Sequence, residues 1–219
     1  MDRSVRLSRS PEAGVVPLGS SSPLTLEESA ELVGRYCFFE RRLFEILGSW
    51  STGLAEPAVQ VHLDRISRHH AWHAELFGER LPVIGEVAAE TWVRPDETTI
   101  QALSSSLASL EIDSSRHAAL RCVGALYRVV VPRIVATYDR HFSATASVCD
   151  GPLQRAFDLV LRDEVRDWRA GEALLQDLIT GPDDVAVVAQ VAHRLESQIV
   201  AAHRGGGLLQ GPFRTGRTG

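Results

Sequence analysis

Apolar residues recur at helical spacing along most of the chain, with little of the alternation that strands need. The first periodic segment runs from Leu26 to about Ser51, with Thr25 placed as N-cap and Glu28 completing a capping box. A turn around Gly53 and Pro57 starts a second helix, which runs to about Leu81 and stops at Pro82. A connection over residues 83–98 leads to a short helix near Thr99–Leu110. A third long helix is predicted over residues 114–142, with Pro132 as the source of a kink. Asp150-Gly151-Pro152 is a turn, and Pro152 takes the first helical position of a fourth helix that reaches about Ile179. Gly181-Pro182 repeats the device before a fifth helix ending near His203. Two helical hairpins with short links, joined by one long connection, predict an all-α four-helix bundle with one crossover and an additional C-terminal helix. Residues 1–23 and 205–219 lack periodicity and are expected to be flexible tails, leaving 24–204 as the helical domain.

The polar residues inside the apolar stripes carry the chemistry. At about 100° per residue, Val33, Tyr36, Cys37, Phe44 and Leu47 fall within about 60° of Glu40. Glu40 is therefore mid-stripe on the first helix, and a buried carboxylate there needs a partner or a proton. On the fourth helix, Leu153, Phe157, Leu161, Trp168, Gly171 and Leu175 surround Glu164 in the same way, with Asp167 at the edge of the stripe. The second helix supplies histidines: His70 and His73 share the arc of Val59, Leu63, Ile66 and Phe77, while His69 points to the flank. The third helix brings no carboxylate to its stripe, which holds Leu120, Val123, Tyr127, Val131, Ile134 and Tyr138 with His141 near its end. Tyr127 is its most polar mid-stripe group and the candidate catalytic residue, against the alternative of a core tyrosine with a satisfied hydroxyl. Measured from the first turn, Glu40 lies roughly 16 Å up one helix and His70 roughly 20 Å down the next, so an antiparallel hairpin sets them at nearly one level. One layer could then collect Glu40, His70, His73, Glu164 and Asp167 as metal ligands.

Composition narrows the classes. A net charge of −5 over 219 residues gives no polyelectrolyte signature and argues against nucleic acid as a partner. No run approaches the roughly 20 apolar residues of a membrane span, and the N-terminus has no secretory h-region. Cys37, Cys122 and Cys149 are scattered and odd in number, so a reducing, cytoplasmic setting is expected.

A carboxylate on one helix and a paired motif about 30 residues later, repeated in a second hairpin, resembles the ferritin-like superfamily. Its di-iron members carry Glu, Glu-x-x-His, Glu and Glu-x-x-His on successive helices. Glu40 matches the first; His70-Ala-Trp-His73 matches with His70 in place of Glu; Val131 or Tyr127 stands where the third helix should bring Glu; Glu164-Val-Arg-Asp167 matches with Asp167 in place of His. The resemblance spans residues 26–180 and implies a metalloprotein: an iron-dependent oxygenase or hydroxylase taking O₂ and a small-molecule substrate. By ligand type the site suits Fe, and equally Mn or Zn. Two alternatives stay open. One is a degenerate, metal-free relative acting as a structural, ligand-binding or interaction protein; the other is iron storage. Asp163 is expected to be solvated or at an edge, and Trp72 and Trp168 to be packing residues. Phe38 and Phe39 lie off the core arc and suggest a homodimer face, unless the fifth helix covers them.

Overall fold

A computed structural model describes residues 24–83, 86–95, 99–145 and 150–203, so both expected tails and Cys149 lie outside the described residues. The described chain is all-helical. Helix α1 spans Leu26–Gly53, and the Thr25–Glu28 capping box forms as the sequence predicts. Helix α2 spans Pro57–Gly78 with its proline in the first turn, where the missing N–H costs nothing. A short 3-10 turn, Ala89–Trp92, and helix α3, Thr99–Ala108, follow in the connection. Helices α4 (Arg116–Ala125) and α5 (Val131–Ala144) run on from one another through a π-helical turn, Leu126–Val130. Helices α6, Gly151–Leu178, and α7, Pro182–His203, complete the chain.

The distortion expected at Pro132 is this π turn, placed just ahead of it. Pro132 has no N–H to give Arg128 O, and its ring crowds that carbonyl. The chain widens by one residue, and Val131 N–H bonds back to Leu126 O.

Side-chain rungs define how the helices run. Glu40 meets His70 while Cys37 meets Ala74 O, so α1 and α2 are antiparallel. Glu40 meets Tyr138 while Tyr36 meets His141, so α1 and α5 are antiparallel. His73 meets Asp163 while His69 meets Asp167, so α2 and α6 are antiparallel. In chain order the four long helical segments therefore run up, down, down, up, which requires the one long connection between the second and third. That connection crosses α1 closely: a Cβ on Gly34 would lie 2.1 Å from Trp92 O. Helix α7 packs against α3 and α4, outside the four.

One aromatic layer takes a ring from each of the four: Tyr36 from α1, Phe77 from α2, Tyr138 from α5 and Phe157 from α6. Their neighbouring centroids are 4.7–6.2 Å apart, the spacing of tilted and edge-to-face pairs. Glu40 and His73 each lie one turn from a ring of this layer, so the polar groups sit beside a buried aromatic floor.

Helix α1 is covered on more than one side. Phe39 is in the core and Phe38 packs against it, so the apolar patch that suggested a homodimer is not open; Phe44, expected inward, is 43 % exposed. Trp168 packs on the core, whereas Trp72 is exposed. Cys37 and Cys122 are buried and outside any disulfide. Among the described residues no helix is long and apolar enough to cross a membrane.

Candidate metal centre

Glu40, His70, His73 and Glu164 meet in the middle of the bundle, each between 0 and 2 % exposed. One ligand atom from each lies within 4.8 Å of all the others. His70 Nδ1 donates to Glu40 Oε2 at 2.5 Å, and Tyr138 Oη donates to Glu40 Oε1 at 2.5 Å. His73 Nδ1 stands 3.3 Å from Glu164 Oε1 and 3.6 Å from Glu40 Oε2, and His70 Nδ1 stands 3.5 Å from Glu164 Oε1.

The electrostatics follow from this packing. Burial pushes the Glu40 carboxyl up, but the charge and hydrogen bond of His70, aided by His73, outweigh it and leave the group at about 2. Burial pulls both histidines down, yet the carboxylates around them prevail: His70 is raised, chiefly by Glu40 and Glu164, and His73 is raised well above its usual value by Asp163, Glu164 and Glu40. Two carboxylates and two imidazoles thus balance one another in a buried core.

The balance is incomplete in hydrogen-bond terms. His70 Nε2, both ring nitrogens of His73 and Glu164 Oε1 are buried with no hydrogen-bond partner. Each such atom costs on the order of 1–3 kcal/mol. A cation held among them would take one nitrogen of each ring together with the carboxylates, and two imidazoles with two carboxylates form a donor set that Fe(II), Mn(II) or Zn(II) accepts. The group could hold a metal ion, and the donor set leaves its identity open.

The other residues singled out from sequence lie around this group. Asp167 is not part of it: its Oδ2 bonds to His69 Nδ1 at 2.6 Å, and its Oδ1 lies 3.6 Å from Arg65. Tyr127 is buried in the π turn, where its hydroxyl bonds to His62 Nε2 at 2.5 Å rather than to any of the four. Burial, reinforced by Asp167 and Glu164, raises the Tyr127 phenol far above its usual range, so it stays protonated. Val131, considered for the third-helix position, is a core residue.

Sequence reasoning missed two neighbours of the centre. Tyr138 on α5 lies beside Glu40; its place on the apolar stripe was the available signal, but a tyrosine there reads equally as a core residue. Asp163, expected at an edge, is indeed part-exposed, yet its Oδ2 is 3.5 Å from His73 Nε2. A carboxylate behind a ligating imidazole fixes the ring's tautomer and direction.

No family model, no curated protein and no solved structure matches this chain.

Proposed function

We propose that the chain is a ferritin-like metalloprotein that binds iron through Glu40, His70, His73 and Glu164 and works as a non-haem iron oxygenase or hydroxylase. The observation that carries this reading is the convergence of four buried ligand-type side chains, four of whose polar atoms lack a hydrogen-bond partner. The up-down-down-up order with one long crossover supports the ferritin-like assignment. When bound, the metal supplies O₂ chemistry that side chains alone lack. The chain's own residues do the rest. Glu40 and Glu164 provide the negative charge, and His70 and His73 the neutral nitrogens. Tyr138 pins Glu40 through Oε1 and leaves Oε2 facing the histidines. Asp163 steadies His73 from outside, and the layer of Tyr36, Phe77, Tyr138 and Phe157 keeps water from one side of the centre.

A second reading, a metal-free buried network, draws on the two 2.5 Å bonds that already satisfy Glu40. Metal analysis of the native protein, followed by anaerobic reconstitution with Fe(II), separates the two. About one ion per chain, lost in the Glu164→Ala variant, is expected. A native and reconstituted protein that both carry only traces of metal would retire the metalloprotein reading in favour of the network.

A further inference from the structure

The four groups of the centre are almost wholly shielded, so an ion reaching them must pass between helices. Ligand-type side chains span one boundary between helices, the seam of α2 and α6. There the helices face each other in two rungs one turn apart, His73–Asp163 and His69–Asp167. Each rung spans the boundary between core and solvent. In the first, His73 is buried and the Asp163 side chain is 28 % exposed; in the second, the Asp167 side chain is 4 % exposed and that of His69 is 31 % exposed. Behind the His69 ring, Asp167 Oδ1 is buried without a hydrogen-bond partner. The nearest counter-charge, the Arg65 guanidinium, stands off at 3.6 Å on a side chain 40 % exposed. The His69 ring leads inward, its centroid 6.5 Å from that of His73.

We propose that His69 and Asp167 form an outer divalent-cation site through which the buried centre is loaded. The inference rests on the metalloprotein reading. Its chemistry is that of an imidazole nitrogen and a carboxylate set together at the boundary between core and solvent, the donors that Fe(II), Mn(II) and Zn(II) share. In the ion-free seam, Arg65 supplies the positive charge that Asp167 requires. An arriving dication replaces it, and the long arginine side chain swings into water at little cost. His73, one helical turn along, is the next donor, and the two carboxylates beyond it draw the ion inward. His69 and Asp167 are thus placed as entry residues, distinct from the four that retain the metal.

Stopped-flow uptake of Co(II) by the metal-free full-length chain tests this, read by the d–d absorption of the bound ion. His69→Gln and Asp167→Asn are expected to slow uptake about tenfold or more, the range by which local charge alters encounter rates. Release slows equally, so the equilibrium affinity is unchanged. Arg65→Gln, which removes the competing cation, is expected to speed uptake. A cluster that only braces the helices predicts the opposite pattern: uptake at the wild-type rate, or affinity and thermal stability lost together. Either result overturns the entry site, and Arg65→Gln decides it even where Asp167→Asn impairs folding. If the wild-type chain takes up no Co(II), the metal centre itself fails; if it loads and His69→Gln loads as fast, only the entry site fails.

Discussion

Tyr138 on α5 donates its hydroxyl to Glu40 Oε1 on α1 at 2.5 Å, and so ties the second hairpin to the centre without contributing an acid to it. Removing that hydroxyl by Tyr138→Phe leaves a buried carboxylate oxygen without a donor. The metal-free chain should lose about 1–3 kcal/mol, read from urea unfolding. Tyr36→Phe gives up only a 3.2 Å contact with His141 and should cost less. Equal losses would deny Tyr138 its special place.

Asp163 should matter to metal retention more than to folding. Its carboxylate stands behind His73 but is itself part-exposed. Asp163→Asn keeps the shape and removes the charge. The expected result, from competition with a chelator, is metal affinity about tenfold weaker with the unfolding midpoint little changed.

Acid should destabilise the fold from about pH 6.5 downward, because His141 is buried neutral. Burial pulls its pKa from 6.5 to about 4. Below pH 6.5 the unfolded chain takes up a proton that the folded chain refuses, so stability is full above 6.5 and falls toward pH 4. For this group the total is about 3 kcal/mol. His62, also lowered to about 4 by burial and Arg65, acts in the same direction. His70 and His73 are shifted upward, so their contribution is already in place below 6.5 and adds nothing to the decline. Urea unfolding of the metal-free protein at several pH values should show this slope, flattened in His141→Gln.

Gly171 makes room for Tyr127. A Cβ there would lie 2.2 Å from the Tyr127 ring, so Gly171→Ala must displace the ring and break its bond to His62. A loss of about 1–3 kcal/mol is expected, the usual cost of overpacking. In a Tyr127→Ala background the same glycine substitution should cost far less, and a double-mutant cycle measures the difference. Additive costs would mean that the glycine serves some other neighbour.

Helical phase alone placed Glu40, His70, His73 and Glu164 on inward faces, because an α-helix rotates by a fixed angle and a carboxylate amid apolar residues is conspicuous. The same arithmetic misplaced Phe44 and Phe39. It assumes a single buried stripe, whereas α1 is covered by α2, α5 and the crossing connection. On the third helix it placed Leu120, Val123, Tyr127, Val131, Ile134 and Tyr138 inward, and all are buried, but it did not tell that Tyr138 rather than Tyr127 meets Glu40.

The sequence by itself determined the helices, their ends at proline, glycine and the Thr25–Glu28 box, and the burial of Glu40, His70, His73 and Glu164. These are local properties of spacing and backbone chemistry. Only the tertiary structure decided which of those groups touch. Asp167 and Glu164 lie three residues apart on α6, yet one pairs with the part-exposed His69 and the other turns to His73 in the core. Which neighbour each side chain meets depends on how α2 and α6 are set against each other. That relation is made by packing among distant segments, and the spacing within either helix does not contain it.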